Sequence, residues 1–187
     1  MKKFELTNEF ITNMFGTKLF RIRALVEFGD VEAGELGGYV EKESNLGHDD
    51  NAWVYDNAWV YGNARVYGDA LVYDNARVYG DAQVSGDALV YGNARVYGNA
   101  LVCGDARVCG DARVCGNGDY AYAHGFGSVN RTTTFFRLKD GGVGVRCGCF
   151  YGTLAQFRDK IRETHGETKK AQEYLMLADL MKLRFEK

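Results

Sequence analysis

Between Asn51 and Asp119 an apolar position returns every six residues, at Val54, Val60, Val66, Val72, Val78, Val84, Val90, Val96, Val102, Val108 and Val114. Two residues before each valine stands Ala, and after it come Tyr, Ser or Cys, then Gly or Asp, then Asn or Asp. A period of six fits neither a helix nor one long strand; it predicts stacked coils in which each hexad is a short strand and a bend. Valine is β-branched and suits the strand, Ala is small enough for a corner, and Gly/Asp with Asn/Asp tolerate the positive φ of a turn. Three bends close a triangle, so hexads three apart stack at the spacing of paired strands, about 4.8 Å, with Val and Ala inside the prism.

Outside the repeat the pattern changes. Phe4, Leu6 and the run Leu19 to Leu25 alternate apolar with polar and predict strands joined near Gly16, covering one open end of the coils. Val40 and Leu46 lie six apart, with Ser44 at the small position, and predict the first coil; Gly47-His48-Asp49-Asp50 then form a bulge before Val54. After Asp119 the repeat degrades. Ser128 to Leu138 is β-rich, Lys139-Asp140-Gly141-Gly142 is a turn, and Val143 to Phe150 is the expected hairpin partner. Thr153 with Gln156 has the form of a capping box opening a helix that ends near His165-Gly166. A second helix starts at Thr168, with Ala171, Tyr174, Ala178, Met181 and Phe185 at the spacing of an apolar seam. The expected division is an N-terminal β cap over 1–37, the coils over 38–127 and a hairpin with two helices over 128–187.

The hexad resembles that of the hexapeptide-repeat family, whose members form left-handed parallel β-helices; the handedness follows from that resemblance alone. This chain departs from the family in carrying Tyr directly after Val. The flanking segments Ala33 to Val40, Gly127 to Phe136, Cys147 to Leu154 and Glu163 to Gly166 look like small hexapeptide-repeat proteins of bacteriophages and prophages. Such proteins are often labelled acyltransferases on the repeat alone. The resemblance therefore implies a mainly β chain, a triangular solenoid that commonly trimerises.

Strand alternation separates three outer faces. Face A carries Trp53, Leu71, Leu89 and Arg107 beside Tyr55, Tyr73, Tyr91 and Cys109, and is apolar. Face B sets Trp59, Arg77, Arg95 and Arg113 beside Tyr61, Tyr79, Tyr97 and Cys115. Face C, with Arg65, Gln83, Leu101 and Asp119 beside Tyr67, Ser85, Cys103 and Ala121, has no single character. An apolar patch of this size calls for a cover, so face A is expected to lie in a homotrimer interface or under the C-terminal helices.

Charge and chemistry narrow the function. A net charge of −2 disfavours a DNA or RNA polymer as partner. No run spans a membrane and Met1-Lys2-Lys3 opens no signal peptide, so a cytoplasmic protein, in the bacterial host if phage-encoded, with reduced cysteines is expected. Cys103, Cys109 and Cys115 fall on three faces and cannot converge on one metal; Cys147 and Cys149 are expected on one strand face. An Asp69, Asp87, Asp105 corner ladder is read as screened turn residues rather than a metal site. No cofactor is expected.

The preferred function is non-catalytic binding of a small phosphate-bearing ligand, such as a nucleotide signal of bacterial defence, at trimer boundaries. Arg77, Arg95 and Arg113 would hold phosphate and Tyr79 and Tyr97 would stack on a base or ribose, with Asn130, Arg131 and Thr133 adding polar contacts. Two alternatives stay open. One is the family's CoA-dependent acyl transfer, with His124 or His48 as base; the other is a structural or protein-interaction module.

Overall fold

A computed structural model of the chain describes residues 2–127 and 131–186. Three antiparallel-connected strands begin it, β1 (Phe4–Thr12), β2 (Lys18–Ala24) and β3 (Leu36–Val40). Eleven two-residue strands follow: Trp53–Val54 (β4), Trp59–Val60 (β5), Arg65–Val66 (β6), Leu71–Val72 (β7), Arg77–Val78 (β8), Gln83–Val84 (β9), Leu89–Val90 (β10), Arg95–Val96 (β11), Leu101–Val102 (β12), Arg107–Val108 (β13) and Arg113–Val114 (β14). They pair in parallel with partners three hexads away and so form the three sides of a β-solenoid. β4, β7, β10 and β13 make face A, β5, β8, β11 and β14 make face B, and β6, β9 and β12 make face C. The register is one residue opposite its equivalent, Val60 against Val78 and Val78 against Val96. All eleven repeat valines are 0% exposed, so the interior is three vertical rows of valine with alanine at the corners. At most of the turns the residue after the outward side chain has positive φ, as in Gly86 at +67°, and Asp56 and Asp74 adopt the same conformation at +52° and +59°.

The first coil is the expected one. Val40 pairs with Val60 and Leu46 with Val66. Its corner differs from expectation: Ser44 is exposed and Asn45 is fully buried. A single turn of 3-10 helix over Glu43–Asn45 rotates the Asn45 carboxamide inward, where Nδ2 donates to the carbonyls of Gly62 and Ala64 at 3.1 and 2.7 Å. Because β3 pairs with β5, the cap continues the face B sheet to seven strands and removes its open edge. Trp53, at 0% exposure, is sealed between Phe4 and Phe28. Lys3 closes the same end. Its buried ammonium donates to the carbonyls of Asp50 and Ala52, and burial pushes its pKa down.

At the other end stands a four-stranded antiparallel sheet, β15 (Tyr120–Phe126), β16 (Arg131–Arg137), β17 (Val143–Cys147) and β18 (Phe150–Thr153). The expected single hairpin partner from Val143 to Phe150 is instead two strands. Gly148 at φ +57° and Cys149 form a two-residue turn between Cys147 and Phe150, so Cys147 and Cys149 do not share a strand face. β15 takes Tyr120 to Phe126 into this sheet across the boundary expected at residue 127. Asp119 and Ala121 likewise fall outside face C, whose strands end with Leu101–Val102.

The sheet has two working sides. Phe136 joins the solenoid core, and Thr134 accepts a hydrogen bond from the Arg107 amide at 2.9 Å. Phe135 faces the other way, into a second core with Val145, Phe157, Ile161, Tyr174 and Ala178. That second core belongs to α1 (Leu154–His165) and α2 (Lys169–Phe185), capped by Thr153 and Thr168 as the sequence predicts. All five seam residues of α2 are buried in it. The helices therefore pack on their own chain's sheet, and face A is not covered by them.

Candidate functional site

Face B brings together the side chains singled out on it. Arg77, Arg95 and Arg113 stand in direct register on β8, β11 and β14, one coil apart. The Arg77 guanidinium lies 4.0 Å from the centre of the Trp59 ring, the next side chain in the same column. Arg113 turns its Nη1 back to the carbonyls of Asn93 and Ala112 at 3.0 and 2.8 Å. Arg95 is exposed and makes no hydrogen bond or ion pair among the described residues.

In the neighbouring column Tyr61, Tyr79 and Tyr97 stack with centroids 5.0 and 5.1 Å apart and planes within 6° of parallel. The solenoid rise sets that spacing. A ring inserted between two others needs carbon contact on both of its faces, about 3.5 Å on each side, and the 5.1 Å between the Tyr79 and Tyr97 centroids leaves no such room. No base can enter between Tyr79 and Tyr97. A ligand ring has two positions left, along the exposed edges of the stack or on the upper face of Tyr97, where the next outward residue is the exposed Cys115 rather than a fourth tyrosine. Burial raises the phenol pKa of Tyr61 and Tyr97, so both rings stay neutral at physiological pH.

At the cap end the ladder opens into a hollow of about 280 Å³ lined by Ile11, Tyr39, Asn57, Trp59, Asn75 and Arg77. Tyr39, Asn57 and Asn75 are lining residues that the sequence pattern does not single out. The two asparagines occupy turn positions that the repeat assigns to φ preference alone. Their closeness to Arg77 is nevertheless legible, because each stands two residues before an outward residue of face B.

The other predicted contacts lie elsewhere. Asn130 is outside the described residues. Thr133 is fully buried and donates to the Cys147 thiol at 3.2 Å, on the helix-covered side of the C-terminal sheet. Arg131 lines a cavity with Cys147, Phe157 and His165 on that same side. Neither joins the face B arginines, because alternation along β16 turns Arg131 and Thr133 towards the helices.

The histidines do not converge. His48 accepts the Lys3 amide at Nδ1 and stacks on Phe4 at 4.5 Å, whereas His124 bonds Thr132 and faces Asp105, and His165 stacks on Tyr174. Among the described residues no group of His, Cys, Asp or Glu is placed to hold a metal ion. Asp69 of the corner ladder accepts from Asn51 at 2.7 Å. The repeat cysteines fall on three faces. Cys103 lies 3.8 Å from the Tyr120 hydroxyl on face C, Cys109 is buried on face A near Tyr91 and Arg146, and Cys115 is open on face B.

Comparison with known families bears on the solenoid. The family described as YdcK beta solenoid repeat matches residues 58–73, 70–86, 82–95, 90–104 and 94–110. These windows cover the central hexads, and with the paired coils they make this a β-solenoid repeat protein. No curated protein matches the chain. Among the described residues no helix is long and apolar enough to cross a membrane.

Proposed function

We propose that the protein binds a small phosphate-bearing ligand of nucleotide size on face B, without turning it over. The observation that carries this reading is the column Arg77, Arg95, Arg113 in register beside the stacked Tyr61, Tyr79 and Tyr97, opening at Arg77 into the hollow with Asn57 and Asn75. Guanidinium groups one coil apart offer bidentate donors to successive phosphate oxygens, and the asparagine amides offer both donor and acceptor to a base edge. The scaffold is pre-formed, so little side-chain or loop ordering opposes binding. The half-buried Leu71, Tyr73, Leu89 and Tyr91 of face A fit a homotrimer, which is part of the same proposal.

Calorimetric titration with cyclic nucleotides and ADP-ribose derivatives tests it. A nucleotide that binds should lose its heat with Arg95→Ala, a change at an exposed residue that leaves the melting temperature unaltered. Unchanged affinity in that variant would remove face B as the site, and acetyl-CoA consumption abolished by His124→Ala would point to acyl transfer instead.

A further inference from the structure

A second cavity, separate from face B, lies between the C-terminal sheet and its helices. It measures about 220 Å³, and its floor is Phe150, Phe157, Ile161 and Tyr174. Among the described residues three basic side chains, Arg131, Lys160 and His165, line it, and no carboxylate does. Their existing engagements are light. Lys160 pairs with Glu163 at 2.9 Å in an exposed contact along one helix, and such pairs hold little energy. The His165 ring lies against Tyr174 with centroids 5.8 Å apart. Arg131 is exposed and has no hydrogen bond or ion pair among the described residues.

The combination selects a ligand class. An apolar floor without a cationic rim would take a neutral hydrocarbon, and a cationic patch without a floor would take inorganic phosphate. Here both are present within one small space, and drug-sized ligands need roughly 300 Å³ or more. We infer that this cavity binds a small organic carboxylate with a compact apolar body, of the size of benzoate or phenylacetate. The ring would rest against Phe157 and Ile161, and the carboxylate would face Arg131 and Lys160, whose planar and point-like cations suit one carboxylate between them. Cys147 also lines the cavity, and its thiol accepts from the buried Thr133 hydroxyl at 3.2 Å, so the sulfur presents only a weakly polar spot beside the apolar floor.

The experiment titrates the full chain with benzoate, phenylacetate, hexanoate, benzyl alcohol and inorganic phosphate, following heat and the Ile161 methyl resonances. Benzoate or phenylacetate should shift the Ile161 methyls saturably, while benzyl alcohol and phosphate bind at least tenfold more weakly. Arg131→Ala should weaken the carboxylate by about 10-fold or more, the size expected for a lost charged hydrogen bond. Ile161→Trp should block it by filling the cavity. Arg95→Ala should leave it untouched, which separates this site from the one on face B. Equal binding of benzyl alcohol, an undiminished affinity in Arg131→Ala, or no Ile161 shift with any carboxylate would each overturn the inference.

Discussion

The Asn45 carboxamide donates to the Ala64 carbonyl at 2.7 Å, across a corner where every later coil places an alanine. With the second bond to Gly62 and an acceptor bond from the Lys42 amide to Oδ1, this buried side chain satisfies three backbone groups at the point where the cap hands over to the repeat. Asn45→Ala would restore the repeat's own residue and yet leave two buried carbonyls and one amide without partners. The expected loss is about 2–3 kcal/mol, read as a lower urea midpoint at unchanged slope. A variant as stable as the parent would show that water replaces the carboxamide.

That position also marks how far the sequence could be read. The coils were legible because eleven valines obey one period, and every one of them is fully buried. Face B was legible for the same reason, since a fixed period sets which side chains share a column. Asn45 was not, because a local 3-10 turn shifts the inward position by one residue and no period runs through it. The Cys147 to Phe150 turn was hidden by a continuous β-rich composition. Arg131 and Thr133 were misplaced because the direction of side chains on β16 depends on a sheet that the repeat does not specify.

The turns give a second prediction. A Cβ added at Gly86 would sit 2.9 Å from the Gly104 amide nitrogen of the next coil, in a backbone with φ at +67°. Gly86→Ala should therefore cost at least the roughly 1–2 kcal/mol of a left-handed non-glycine residue. Asp56 already bears that strain at φ +52°, with no side-chain hydrogen bond to offset it among the described residues. Asp56→Gly should be neutral or stabilise by up to about 1 kcal/mol. Equal and opposite results, with Gly86→Ala harmless, would mean the coils shift apart at little cost.

Alkaline pH should loosen the fold. Burial raises the phenol pKa of Tyr55, Tyr61, Tyr73, Tyr91, Tyr97, Tyr120 and Tyr151 above the ordinary 10.0. Above pH 10 the unfolded chain then gives up protons that the folded chain keeps, so the folded state binds more of them and stability falls with rising pH. The buried Cys109 thiol, raised from 9.0, adds to the loss from pH 9 upward. Lys3 works in the other direction, since its pKa is lowered from 10.5, but it is one group against eight. Melting temperature should be flat from neutrality to about pH 9 and drop steeply beyond 10. A flat profile to pH 11 would mean the phenols ionise in place.

The proposed trimer has a direct measurement. Sedimentation equilibrium should give about three times the 20.8 kDa chain mass, and Leu89→Arg, in the middle of face A, should reduce it to one. A monomeric parent would leave the apolar face as a property of the single chain and remove subunit boundaries from the account of ligand binding.

The last three hexads place Cys where earlier ones favour Tyr, and the structure supplies a reason at two of them. On face A, the Tyr151 hydroxyl of β18 reaches Gly110, so Cys109, at 3% exposure, occupies a space that a ring would overfill. On face C, the Tyr120 hydroxyl reaches over Cys103 to the Leu101 carbonyl at 2.5 Å. On face B no described residue covers Cys115 in this way, and it is exposed. Cys109→Tyr should thus destabilise by the roughly 1–3 kcal/mol of an overpacked core. Cys115→Tyr should extend the Tyr61, Tyr79, Tyr97 stack by one ring and stabilise by about 0.5–1.5 kcal/mol, the worth of an aromatic pair. It should also occupy the open face of Tyr97. If a nucleotide stacks there, Cys115→Tyr will weaken its binding while raising the melting temperature, a combination that simple loss of folding cannot produce. Unchanged affinity with the higher melting temperature would confine the ligand to the hollow at Arg77.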